Sequence, residues 1–408
     1  MVKNNVLFIL SEAVNDISLD KEEIDEVVKS ITSIHIFDDV LDFRQKNKIS
    51  YKLGDILLMA MIVIIREKTQ SFSYIADYIS VNHKLFEKYG LLEVNGSTPS
   101  HDTFRRVFSL LDSKSFYECT IERLYEFLKS LEIESGLRHI AVDGKYVNGT
   151  GRSEGTKHER KNTNVLNIYE IQTDTCLVSE IVDTKTNEIP VAQDILSSMN
   201  LYKTVISADA LHCQKKTTEV IRKNKGHYVL TIKDNIPLLL EEATLKIDKY
   251  KNKLKRITQN DLLIEVLILP KTYEYDGYKD LRSYIKMTSN KSSEECIRYF
   301  ISDLINIHDI ADIIDRRWTI ENGFHKFKDN YLNEDSFRCI DFKATKNIVL
   351  MNNLITQLVM IYIPLSGLTP RKAKIAFKCN PEREILKLLA VISSDTIKTK
   401  LIEAIKNK

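Results

Sequence analysis

An α/β core flanked by helices is the fold class this sequence predicts, and three observations predict it. Before residue 136, apolar residues recur at helical spacing without strand-like alternation. From Arg138 onward, short β-branched runs alternate with amphipathic segments in the order βββαβαβα, the signature of a mixed sheet with crossover helices. From residue 310 to the end the pattern is helical again. The 408 residues suffice for two or three domains and a sizeable core. The expected division is an all-α block over 1–136, an α/β domain over 137–364 with a β-rich insertion or sheet extension at about 255–305, and a helical segment over 365–408.

Taken in order, residues 18–34 carry apolar positions at helical spacing among acids, and 51–66 form a very apolar helix. Helices over 72–81 and 84–89 follow. The loop NGSTPSHD then breaks the run, and Ser100 or Asp102 caps the helix TFRRVFSLLD. An amphipathic stretch at 115–131 completes the block. RHIAVDGKYV reads as a strand, and TNVLNIYEIQ with CLVSEIVD as a hairpin around Thr173 and Asp174. Helices at 189–199, 214–225 and 237–250 alternate with the strands TVISADA and HYVLTIK. LLIEVLIL, LRSYIKM and IRYFISDL give three further strands, and helices are expected over 310–327, 344–363 and 381–406.

Composition excludes several classes. With 43% hydrophobic and 28% charged residues the chain is not disordered. Six widely spaced cysteines without a C-x-x-C pair exclude a zinc knuckle and a disulfide framework, and fit a reducing cytoplasm. The N-terminus has too short an apolar stretch for a signal peptide, and residues 56–65 reach about half a spanning length, so no membrane association is expected. Net charge is only +2, so a polyanionic partner must meet local patches. Residues 145–161 hold five Lys/Arg against two Glu, and residues 215–233 hold six against one.

Those patches begin just after two of three notable acids. Asp143 and Asp209 close β-branched runs, and Glu321 lies in the helical segment DRRWTIENGFHKFKD. Each alone also reads as a turn residue, a helix cap or a surface charge. Together, two strand-end carboxylates and a helical one suit a hard divalent ion, which takes oxygen ligands and retains waters for substrate phosphate. Two such ions clamp both oxygens of an in-line displacement. Arg317, Glu321, His325 and Lys328, at i, i+4, i+8 and i+11, share one face of an ideal helix, where the cations could hold phosphate. The single tryptophan, Trp318, is expected to anchor that helix in the core.

AVDGK, SADALHCQK, the KDN at Lys233, and RRWTIENGFHKFKD followed by NEDSFR together resemble the H-repeat-associated (ISAs1-type) DDE transposases, within the IS4-like transposases. LGDILLMAMIVI and STPSHDTFRRVF resemble the helical domain that precedes the catalytic domain in that group. The resemblance implies an RNase H-like catalytic domain with Asp143, Asp209 and Glu321 as the DDE triad. It implies Mg²⁺, with Mn²⁺ as a substitute, at two sites, and hydrolysis at transposon ends followed by strand transfer. On the pattern Y-x2-R-x3-E-x6-K, Arg317, Glu321 and Lys328 match, whereas Ile314 stands at the tyrosine position. Related proteins often carry His where this chain has Arg317.

The resemblance further implies double-stranded DNA as partner, a homodimer in the synaptic complex, and action at the bacterial nucleoid in the cytoplasm. DNA contacts are expected from Arg317, Lys328, Lys145, Lys233 and His325, and from Arg105 and Arg106 in the N-terminal block. The rival readings are a domesticated DNA-binding relative, an RNase H-like nuclease that does not transpose, and a Mg²⁺-dependent phosphohydrolase. The last commonly has an Asp two residues after the first, where this chain has Lys145.

Overall fold

The computed structural model describes residues 7, 36–94, 96–131, 136–151, 162–182, 187–289, 296–318, 320–339, 341–394, 399–400 and 402–403. The helix expected over 18–34 and most of the basic stretch 145–161 lie outside them. Among the described residues, nine strands form one sheet in the order β3-β2-β1-β4-β5-β9-β8-β7-β6. They are β1 Arg138–Val147, β2 Thr163–Glu170, β3 Thr175–Val182, β4 Thr204–Ala208, β5 His227–Ile232, β6 Lys255–Gln259, β7 Leu262–Ile268, β8 Ser283–Ser289 and β9 Cys296–Ser302. β1, β4 and β5 run parallel, and the remaining pairings are antiparallel.

The apolar runs become strands because both faces of the central sheet are covered; every residue of β2 and of β4 is buried. The β2–β3 hairpin turns where expected, with Asp174 in the left-handed region at φ 49°. The stretch at 255–305 does not fold apart: β9 pairs with β5, so β6–β9 widen the same sheet. β6 was not expected; its exposed Lys255, Arg256 and Thr258 hide the strand pattern.

The helices are α1 Leu53–Glu67, α2 Phe72–Val81, α3 His83–Lys88, α4 His101–Leu110, α5 Ser113–Tyr117 and α6 Arg123–Ser130, followed by α7 Glu188–Ser198, α8 Lys215–Lys223, α9 Pro237–Lys249, α10 Ile307–Arg316, α11 Phe342–Leu365, α12 Pro370–Cys379 and α13 Pro381–Ser393. Ser100 caps α4 by accepting from the Thr103 N–H, leaving Asp102 inside the first turn. The helix expected over 115–131 is interrupted by a wide turn at Glu118–Glu122. α7, α8 and α9 cover one face of the sheet through Ala192, Leu196, Ile221, Leu239 and Ile247. α10 covers part of the other through Ile310, Ile313 and Ile314. Ile314, at the signature tyrosine position, is thus a core residue.

The helices before residue 136 share one core with α11–α13, so the expected separate all-α domain gives way to a helical layer built from both ends of the chain. Asn347 of α11 donates to the carbonyls of Phe108 and Leu111 at 2.8 and 3.0 Å, and Arg66 pairs with Glu382 at 3.1 Å. α11 is long and apolar enough to cross a membrane by composition, but 78% of its most apolar window is buried within the protein. Its hydrophobicity therefore serves this core.

Candidate active site

Parallel pairing between β1 and β4 ends at Val142 and Ala208, so Asp143 and Asp209 are the next residue on each strand. Beyond that point β4 gives way to the turn Ala210–His212, so both acids stand at the carboxyl ends of parallel strands, the usual ligand position in such sheets. Asp143 does not close its strand as expected: β1 continues to Val147 and Asp143 pairs with Asn167 of β2. By alternation it shares a face with Lys145. Asp209 caps the turn Ala210–His212, its Oδ1 accepting from the Leu211 N–H at 3.0 Å.

Glu321 reaches the same region by an irregular route. α10 ends at Arg316, and Ile320–His325 and Lys328–Leu332 adopt wide π-type turns in place of the continuous helix expected over 310–327. Ile320 and Phe324 seat this segment on Ala141, Tyr169, Ile171 and Cys176 of the sheet, with the Phe324 and Tyr169 rings 4.9 Å apart. Glu321 remains 41% exposed and leans on Arg317 at 3.8 Å. Each wide turn adds a residue per revolution, so the ideal helical face drawn through Arg317, Glu321, His325 and Lys328 is lost.

Electrostatics ties the three acids together. The Asp143 carboxyl is pushed up to about 7, first by burial, then by Glu321, with Arg317 pulling it back and Asp209 adding to the rise. Burial lowers the Arg317 guanidinium, and Glu321, Asp143 and Asp209 oppose that fall. Arg317 is thus a buried cation held among three carboxylates. Trp318 is not the core anchor expected: half-buried, it stacks under Arg298 and Arg317, 4.1 and 4.9 Å from its ring.

The expected DNA-contacting residues divide. Lys233, Arg105 and Arg106 are exposed, Arg105 paired with Asp102 at 3.1 Å. Lys328 is corrected: at 1% exposure it lies in the interior, 3.3 Å from Glu334 and 3.1 Å from Asn353 Oδ1, and cannot meet a phosphate there. Lys145 is likewise buried, bound to Glu334 at 2.8 Å and to Asp329. His325 is buried too and turns Nδ1 toward Asp143 Oδ2 at 3.5 Å; burial, then Lys328 and Lys145, push it down to about 3.

Sequence reasoning missed Glu334 and Asn167. Glu334 is an interior carboxylate between two lysines, and Asn167 a polar residue inside an apolar strand. The Asn within TNVLNIYE was the available signal, because a polar residue in a fully buried strand requires a partner. The turn carrying Glu334 presses on the end of β1: a Cβ at Gly149 would stand 2.4 Å from the Phe337 carbonyl and 2.7 Å from that of Asp335. Gly149→Ala is therefore expected to cost about 1–3 kcal/mol in chemical denaturation. Unchanged stability would show that this contact yields freely.

Among the described residues, no three Asp, Glu, His or Cys side chains converge closely enough as they stand to ligate one ion. The donor chemistry nonetheless fits a hard divalent cation. Three carboxylates offer oxygen ligands, and the crowding that raises Asp143 is what a cation relieves. The exposed Glu321 has only to rotate off Arg317, an inexpensive motion for such a side chain.

Comparison with known proteins agrees with this chemistry. The Transposase DDE domain family matches residues 134–358, and the domain associated with it matches residues 34–122. The H repeat-associated protein YhhI of Escherichia coli, named as a candidate transposase, is 27% identical over 318 residues, 72% of this chain and 81% of its own. YbfD of the same organism, also named so, is 30% identical over 195 residues, 48% of this chain and 73% of its own. A piggyBac transposase in a synaptic complex with hairpin DNA aligns over 99% of this chain and 85% of its own at 14% identity, but its TM-score of 0.42 is too low to bear on the fold. On the family match and the coverage of its relatives, the chain belongs to the DDE transposases.

Proposed function

We propose that Asp143, Asp209 and Glu321 are the triad of this DNA transposase, set in an RNase H-like core, and that they hold two Mg²⁺ ions for which Mn²⁺ can substitute. The observation that supports the assignment is the placement of Asp143 and Asp209 one residue beyond the β1–β4 pairing, with Arg317 3.8 Å from Glu321; burial, then Glu321, raise the Asp143 carboxyl, Arg317 counters them and Asp209 adds to the rise. Asp143 would be the ligand common to both ions, the role the family resemblance implies for the first Asp. Divalent ions there supply Lewis-acid polarisation of the phosphodiester and an acidified water. Arg317 steadies the carboxylates through Glu321 at 3.8 Å, and its guanidinium would be free to meet phosphate if Glu321 were drawn to a bound ion. Double-stranded DNA at the bacterial nucleoid is the substrate, and two ends held together call for a synaptic homodimer. The test is cleavage of DNA carrying the element's own termini, with Mg²⁺, Mn²⁺ or EDTA. Asp209→Ala and Glu321→Ala should each abolish nicking; retention by either removes that residue from the triad.

The exposed Arg106 of α4 is our candidate for backbone contact beside the triad. Arg106→Ala is expected to weaken end binding across all sequences and to reduce the salt slope by about one. Fluorescence anisotropy over a salt series measures both, and an unchanged slope would place this helix away from DNA.

A further inference from the structure

A hydrogen-bonded chain of buried polar side chains runs from Lys328 to His325, which stands beside Asp143, and its direction is fixed at every link. Lys328 can only donate, and it donates to Asn353 Oδ1 at 3.1 Å. The amide of Asn353 therefore turns Nδ2 toward Ser179 Oγ, at 2.8 Å. Ser179 passes its own proton to Asn167 Oδ1 at 2.7 Å, and the Cys176 thiol reaches the same oxygen at 3.5 Å. Asn167 Nδ2, which also donates to the Val165 carbonyl, lies 3.2 Å from His325 Nε2. That nitrogen must accept, so the His325 proton resides on Nδ1, aimed at Asp143 Oδ2 from 3.5 Å.

We propose that Lys328 is a positioning residue that, through Asn353, Ser179 and Asn167, locks His325 in the Nδ1–H tautomer and so orients the Asp143 carboxylate. The inference rests on Asp143 being a metal ligand, and it gives the buried lysine of the signature a role other than phosphate contact. Lys328, Asn353, Ser179, Asn167 and His325 are all buried, so water does not compete for the links among them. Glu334 neutralises the lysine at 3.3 Å without joining the chain to Asp143.

The test compares Lys328→Met, Ser179→Ala and Ser179→Thr with Asp143→Ala. In K328M and S179A, cleavage at saturating DNA should fall about 10–100-fold, the usual cost of removing a residue that orients a metal ligand. Binding to transposon ends in EDTA should change less than about twofold, and S179T, which keeps the hydroxyl, should retain cleavage. Nitrogen-15 spectra of labelled histidine, with His325 assigned by its loss in His325→Gln, should show Nδ1–H in the parent and a mixture in S179A. A parent Nε2–H tautomer would overturn the proposal. So would wild-type cleavage in S179A, which decides the matter if K328M does not fold, or a flattened salt slope in K328M. Cleavage persisting in D143A would instead sink the triad on which the inference stands.

Discussion

Asp143→Ala should reduce strand cleavage by about 10³-fold or more, roughly 4 kcal/mol of transition-state stabilisation, while end binding stays near the parent value. The asymmetry follows from where Asp143 sits. It lies only partly exposed at the end of the β1–β4 pairing, faced by His325 and Arg317, and offers DNA no cation. Its carboxylate is nevertheless the point on which Glu321, Asp209 and Arg317 all act. The same crowding fixes the effect on stability. A carboxyl raised to about 7 is one whose charged form the fold disfavours, so its contribution worsens as pH rises from the unfolded value of 3.8 toward 7 and levels off above it. Without divalent metal at pH 8, D143A is therefore expected to melt no lower than the parent. A residue that supports the fold would show the opposite, with melting temperature and activity falling together. Scanning calorimetry beside the cleavage assay separates the two, and full cleavage in D143A would remove the residue from the chemistry.

The parts legible in the sequence were those that depend on local pattern. β-branched runs placed β1, β4 and β5, turn chemistry placed the hairpin at Asp174, and Ser100 placed the start of α4. The three acids were legible as residues in three contexts, and the family match is consistent with reading them together. The geometry of the basic residues was not legible. A spacing of i, i+4, i+8 and i+11 assumes an ideal helix, and the wide turns after α10 break that assumption. Those turns follow from packing Ile320 and Phe324 on Tyr169 and Ala141, contacts across some 150 residues of chain that no local pattern encodes. The resemblance implies DNA contacts from Lys328 and Lys145, which fits the usual exposure of lysine. Their burial depends on Glu334, and no window of sequence shows a carboxylate brought between them.

That carboxylate carries the largest expected effect on stability. Glu334→Gln keeps shape and removes charge, leaving Lys145 and Lys328 short of a counter-ion in the interior, which should cost about 3–5 kcal/mol. Burial alone would raise the Glu334 carboxyl, but Lys328 and Lys145, with hydrogen bonds from Lys145 and Asn352, outweigh it and hold it at about 2. Its folded value thus lies below the unfolded 4.5, so its stabilisation is complete above pH 4.5 and fades as pH falls toward 2. Parent protein should lose stability over that window, and E334Q, already lower, should show a shallower loss there. The partners sharpen the test. Lys328→Met alone leaves Glu334 bound to Lys145 at 2.8 Å and to Asn352 at 3.1 Å, so it should cost less than E334Q. Combined with E334Q it removes one of the two unbalanced charges, and the double variant should be more stable than the sum of the single losses. Additive losses in urea denaturation would show that Glu334 and Lys328 do not act on each other, and the buried ion cluster would lose its claim to hold this part of the fold together.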